Sequence, residues 1–295
     1  MRKIIPGSIS TKDLHQFMLG AVSPRPIAFV STMDENGVAN IAPYSFFNAF
    51  SSNPPILVFS SNRRVDNNTT KDTLHNILLN KEVVVNVVNY DIVQQMALAS
   101  ISYEREIDEF VKSGLTPIPS DFVKPYRIKE SPAHFECRVK EVITLGEHGG
   151  AGHLIVCDVL CVHISEEVID DKNRIDPDKI DLVGRMGRAF YVRASGDAVF
   201  DVYQNVMKPA LGFDQLPEHI TNSAILCGNE IAKLAGLYEI PDETTVKALV
   251  QNDTVLQELL DRGMAEKDLH LLVRQAILEG DDQKALKIAM LKEYY

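Results

Sequence analysis

The sequence predicts a mainly β protein, a barrel or sandwich with a few helices, followed by an α-helical C-terminal extension. Three observations carry this. Up to about Val199 the chain reads as short apolar, β-branched runs separated by turns. Two runs, Val83–Val88 and Leu154–Ile164, are rich in Val and Ile with little alternation, as strands buried on both faces are. Beyond Phe213 the texture changes to helical periodicity. We therefore expect one domain over residues 1–213 and a helical extension over residues 214–295, a division that 295 residues can support.

Taken in order, the first strands are Ile27–Ser31 and Val38–Ala42, joined by the turn Asp34-Glu35-Asn36-Gly37 into a hairpin. Ile56–Ser60 follows, then a helix over Leu74–Leu79 and the strand Val83–Val88. A second helix spans Asp91–Ser100. The remaining strands are Ala133–Ile143, Leu154–Ile164 and Ala189–Arg193. In the extension, Leu216–Ile220 opens a helical region, and Asp242 is placed to cap a helix over Thr244–Leu260. Val246, Leu249, Val250, Leu256, Leu259 and Leu260 share one face of that helix. Lys267–Glu279 and Asp282–Tyr295 continue the pattern, which reads as a docking or covering element without chemistry of its own.

Bulk composition excludes several classes. No run of eighteen apolar residues is present, so no membrane span is expected. Pro6 and Gly7 interrupt the N-terminus before an apolar region develops, which argues against a signal peptide and for a cytoplasmic protein. A net charge of −11 argues against a nucleic-acid partner, although a few placed cations can still bind a small anion. The four cysteines, Cys137, Cys157, Cys161 and Cys227, have no metal-ligand or redox spacing and read as small hydrophobes in a reduced interior. No metal site is expected.

Two clusters stand out. Ser23-Pro24-Arg25-Pro26 precedes the hairpin, and Asn40-Ile41-Ala42-Pro43-Tyr44-Ser45-Phe46-Phe47-Asn48 closes it. A plain hairpin has no need of Arg, Asn, Ser and two Phe beyond its strands; a site for a flat, polar-edged, phosphorylated ligand does. The second cluster is Ser60-Ser61-Asn62-Arg63-Arg64 with Lys71-Asp72-Thr73 heading a helix. A helix start offers free N–H groups and partial positive charge to a phosphate. Lys71 adds a point charge, and Ser60, Ser61 and Thr73 add hydroxyls. Singly, Thr73 is a plain cap and Lys71 a solvated charge; together the clusters point to a site. His134 lies in an apolar strand and reads as a core residue. His148 and His153 flank Gly149-Gly150-Ala151-Gly152, a flexible loop able to cover a substrate, while Arg185 and Arg188 read as surface residues. No catalytic triad and no GxGxxG fingerprint occur.

The segments SPRPIAFVST, NIAPYSFFN, Pro54-Pro55, Lys71-Asp72-Thr73 and Val83–Val88 resemble the flavin reductase-like family of FMN-binding split-barrel proteins, over about Ser8 to Asp201. Ser131–Cys137, Gly152–Val156 and the C-terminal Leu216–Ile220 and Cys227–Glu230 segments agree with its longer members. The resemblance implies a split β-barrel, FMN as cofactor, NADH or NADPH as co-substrate and a homodimer. By motif position, Arg25 and Pro26 would stand at the flavin's polar edge or phosphate, and Asn40 would contact the flavin. Ser45 and Phe46 would line the isoalloxazine, with Phe46 where some relatives carry Trp; Phe46 or Phe47 could cover the ring's face, and the Ala42–Asn48 turn could supply partners to its polar edge. Lys71, Asp72 and Thr73 match the phosphate-side motif, to which the hydroxyls of Ser60 and Ser61 read above would add donors, and His153 would reach the flavin or nicotinamide edge. No protein acid or base is expected, since hydride transfer needs stacking rather than proton relay. The implied activity is NAD(P)H-dependent transfer through FMN to free flavin, oxygen or an acceptor protein. The alternative is a flavoredoxin-type electron carrier that never meets a nicotinamide.

Overall fold

The computed structural model describes residues 1–202 and 208–295, which form two compact units, Met1–Phe200 and Asp201–Tyr295. The first unit begins with α1 (Thr11–Ala21), capped by the Ser10 hydroxyl, which accepts from the Asp13 N–H. Next come β1 (Ala28–Met33), β2 (Ala39–Tyr44), β3 (Phe47–Ser52), β4 (Pro55–Asn62), α2 (Asp72–Asn80), β5 (Glu82–Val87), α3 (Val93–Ala99) and α4 (Glu109–Ser113). Two short strands, β6 (Pro117–Ile118) and β7 (Arg127–Ile128), precede the long β8 (Ala133–Thr144) and β9 (Gly152–Ile164). The unit ends with α5 (Pro177–Ile180), β10 (Val183–Gly187) and β11 (Phe190–Arg193).

Seven strands form one sheet in the order β2-β1-β5-β8-β9-β4-β3, every neighbouring pair antiparallel. Both faces are buried where the sheet matters most. Ala28, Val30, Tyr44, Leu57, Phe59, Val83, Val85, Cys137, Ile155 and Cys157 form one core with Leu74 and Ile77 of α2. Phe29 and Ile41 face the other way, against Ile92, Met96, Phe110 and Val183. This two-sided burial explains the unalternating Val83–Val85 run, all three of which are fully buried. The same expectation fails for the second half of β9, where Leu160, Val162 and Ile164 are exposed.

The second unit is helical: α6 (Glu218–Thr221), α7 (Gly228–Ala235), α8 (Glu243–Gln251), α9 (Thr254–Asp261), α10 (Glu266–Leu278), α11 (Asp282–Ala289) and α12 (Leu291–Tyr294). Its core, including Leu234, Val246, Leu256, Leu269 and Leu286, is drawn only from residues of this unit. The division at Phe200 precedes the change of texture at Phe213, because Leu211 already packs in the helical core and its N–H donates to the Leu237 carbonyl. The single helix expected over Thr244–Leu260 is two helices. Asp253 breaks it by accepting from the N–H groups of Val255 and Leu256, so that its side chain caps α9. Helix accounts for 34% of the chain and strand for 26%, so the β character belongs to the first unit rather than to the whole. Among the described residues no helix is long and apolar enough to cross a membrane.

Candidate functional site

Helix α2 starts without a side-chain cap. Lys71 occupies the N-cap position in extended conformation and its side chain caps nothing, leaving the first-turn N–H groups to other partners. Asn40, Arg64, Lys71, Asp72, Thr73, Ser100, Ser102, Tyr103 and Glu109 line a cavity at this helix start. Lys71 Nζ lies 4.7 Å over the Tyr44 ring, and no carboxylate pairs with it among the described residues. Burial, reinforced by the neighbouring Arg64 charge, lowers the Lys71 pKa to about 8. Arg64 itself donates to the Thr70 carbonyl (2.9 Å) and to Ser102 Oγ (3.3 Å).

Beneath the cavity runs a buried polar network. Asn40 Nδ2 donates to Glu109 Oε1 at 2.9 Å, which turns its Oδ1 toward Thr73 (2.8 Å) and Thr32 (3.2 Å). Asn76 Nδ2 donates to Thr32 Oγ1 at 3.1 Å, extending the network. Glu109, which is buried, also accepts from the Ile41 N–H, and burial raises its pKa. The Thr73 hydroxyl proton is thus committed to Asn40. At the cavity the donors are instead Lys71, Arg64 and the backbone of α2.

Strand β4 carries the serines, and its pleat separates them. Ser61 continues the inner face of Leu57 and Phe59, opposite His153 of β9. Ser60 points the other way and donates to Asn62 Oδ1 at 2.8 Å. Ser61 Oγ, His153 Nε2 and the Tyr44 hydroxyl are all buried and lack a hydrogen-bond partner of normal geometry among the described residues. Thr73 and Ser61 flank that Tyr44 hydroxyl, whose pKa burial pushes up to about 12. His153 Nδ1 meets Thr144 Oγ1 at 3.1 Å, and burial lowers its pKa, so the ring is held neutral.

Arg25 is anchored rather than free. Its Nη1 donates to the Leu19 (2.6 Å) and Val22 carbonyls at the end of α1, where helix carbonyls lack internal partners, and its Nε reaches Ser45 Oγ at 3.4 Å. Only Nη2 is buried without a partner. Phe46 sits beside this guanidinium (5.9 Å) and edge-on to His15 of α1, so Arg25, Ser45 and Phe46 form a group against α1. Pro26 and Asn48 are exposed, and Asn48 Oδ1 accepts from the next N–H, Ala49. Phe47 packs on the inner core. Arg185 is joined to Arg25 backbone to backbone, at 3.0 and 2.9 Å.

The structure therefore gathers Asn40, Lys71, Asp72 and Thr73 at one cavity, places Ser61 and His153 on the adjoining inner face, and puts Arg25, Ser45 and Phe46 at α1. The Gly149–Gly152 loop is not a loose flap. Arg63 N donates to the Ala151 carbonyl and Gly150 N to the Arg63 carbonyl, so it is laced to the segment carrying Arg64. His134 is a satisfied core histidine. Its Nδ1 faces Asn86 Oδ1 at 2.8 Å, and burial drops its pKa to about 4. Sequence reasoning missed Glu109 and Tyr44 as members of the site.

Residues 19–176, inside the first unit, match the family described as "Flavin reductase like domain". An uncharacterized protein of Aquifex aeolicus is 38% identical over 189 residues, 64% of this chain and 94% of its own length. The nitrilotriacetate monooxygenase component B of Bacillus cereus superposes with a TM-score of 0.64 at 28% identity, over 68% of this chain and 98% of that one. The 2-nitrobenzoate 2-nitroreductase NbaA of Pseudomonas fluorescens does so with a TM-score of 0.63 at 27% identity, over 72% of this chain and all (100%) of that one.

Proposed function

This chain belongs to the flavin reductase like domain family, and from that premise we propose that it is an FMN-binding, NAD(P)H-dependent oxidoreductase built on the split barrel of that family. One observation carries the reading: Ser61 Oγ and His153 Nε2, opposite each other on β4 and β9, and the Tyr44 hydroxyl beside Ser61 are buried polar atoms without a partner of normal geometry among the described residues. Each such atom costs about 1–3 kcal/mol when nothing pairs with it, so their gathering beside Thr73 and an uncapped helix start, whose Lys71 makes no ion pair among the described residues, fits a polar ligand. Lys71, Arg64 and the free N–H groups of α2 suit a phosphate. Phe46 and Phe47 supply aromatic cover for a broad planar ring.

When bound, FMN supplies the hydride-accepting ring, and the chain's own residues supply position and field. Lys71 and Arg64 hold the anionic end. Asn40, oriented by Glu109, fixes the wall next to α2. His153, kept neutral by burial, offers its unpartnered Nε2 to a polar edge rather than a fixed charge. No residue need move a proton for hydride transfer to proceed, and stacking geometry carries the rate.

The purified protein is expected to be yellow and to release FMN on denaturation. Under anaerobic titration, NADH or NADPH bleaches it. A bound flavin that neither nucleotide reduces overturns the reductase reading and leaves an electron carrier. For the site, the Lys71→Ala, Thr73→Ala double variant loses FMN on gel filtration while Arg185→Ala keeps it; equal retention places the phosphate elsewhere.

A further inference from the structure

A second cluster of donor atoms lies on the β8–β9 ribbon, unconnected with the flavin reading. Glu136 of β8 stands directly opposite Cys161 of β9, and His163 follows two residues later on the same face. Asp121 reaches them from the loop between β6 and β7. Glu136, fully buried, holds that loop by accepting from the N–H groups of Asp121 (2.9 Å) and Phe122 (2.6 Å). One ligand atom each from Asp121, Glu136 and His163 lies within 4.8 Å of the others. The distances converge on His163 Nε2: 2.8 Å to Glu136 Oε1, 3.6 Å to Asp121 Oδ2 and 3.5 Å to Cys161 Sγ.

We propose that Asp121, Glu136 and His163 bind a divalent transition ion of the zinc class, with Cys161 beside the fourth position. Zinc bonds of about 2.0–2.1 Å to nitrogen, 2.0–2.2 Å to oxygen and 2.3 Å to sulfur give tetrahedral edges of about 3.4 Å (N to O) and about 3.6 Å (N to S). The Asp121 and Cys161 distances already lie near these values. Of the three contacts to His163 Nε2, only that of Glu136 must open, by about 0.6 Å, as the ion replaces the proton those two atoms share, while Cys161 Sγ stands outside the trio of mutually close donors and has to swing in to ligate. Imidazole among the donors selects against calcium and magnesium, which take oxygen shells. Arg127, whose Nε is 3.8 Å from Glu136 Oε1, offsets surplus negative charge. With Cys161 as thiolate, the donors, ion and Arg127 together are neutral. The ion's role is to fasten the Asp121–Phe122 loop to the ribbon.

The test is equilibrium dialysis of chelator-stripped full-length protein against zinc chloride, with metal analysis. One tightly held equivalent per chain is expected, weakened at least tenfold by His163→Ala and by Asp121→Asn. Asp121 is exposed on a loop, so its variant folds; circular dichroism checks both. A cobalt-loaded sample distinguishes the fourth donor, because Cys161→Ser abolishes a thiolate band only if sulfur ligates. No retained zinc, or retention that neither the His163 nor the Asp121 variant lowers, overturns the proposal and leaves the cluster as a hydrogen-bonded loop anchor.

Discussion

Lys71 governs how the proposed site answers to pH. Its pKa falls from 10.5 in the open chain to about 8 in the fold. Between those limits the unfolded chain binds the extra proton, so this group makes stability rise with pH across that window. Phosphate binding runs the other way, because the phosphate attracts only the charged amine. FMN affinity is therefore expected to be about tenfold weaker at pH 9 than at pH 7, a dependence that Lys71→Met removes; fluorescence titration of the flavin reads both. Lys71, Asp72, Thr73 and Asn40 were legible in the sequence because a helix start and a hairpin end have local signatures. Glu109 was not, since its partner Asn40 lies 69 residues away and no local pattern records the pairing. Thr73 was expected to offer its hydroxyl to a phosphate, but that hydroxyl faces Asn40, a direction that no sequence pattern carries.

At the scale of elements, the Gly149–Gly152 loop and the Arg63–Arg64 segment act as one piece. A Cβ on Gly149 would stand 2.7 Å from the Val65 carbonyl oxygen, closer than any side chain tolerates. Gly149→Ala is expected to cost about 1–3 kcal/mol in urea unfolding and, by displacing Arg64, to weaken FMN retention as well. Unfolding unchanged from wild type would mean that the loop yields freely. Most strands were legible, because β-branched runs such as Val83–Val87 have no other stable use. Strand β3 was missed: Phe47 apart, every one of its residues is exposed, so burial left no periodic imprint. Helix α1 was missed although Ser10 and Asp13 mark its start, because none of its residues is fully buried. The expected helix over Thr244–Leu260 divided where a capping aspartate outweighed a continuous apolar face.

At the scale of the whole molecule, the helical unit has a core of its own, and the sheet-bearing unit builds its cores from its own residues. Leu234, fully buried in the helical core, makes a clean probe. Leu234→Ala is expected to destabilise that unit by about 2–5 kcal/mol while FMN stays bound to the other. Calorimetry with flavin absorbance as a second signal separates the two, and loss of flavin together with helix would show that the units unfold as one. The helical character of this region was legible from periodicity and capping residues. Its start was less so, because Leu211 joins the helical core ahead of any helical pattern.

The covalent continuity of the two units has a consequence for their supply: every molecule carries one helical unit for each sheet-bearing unit, whatever the level of expression.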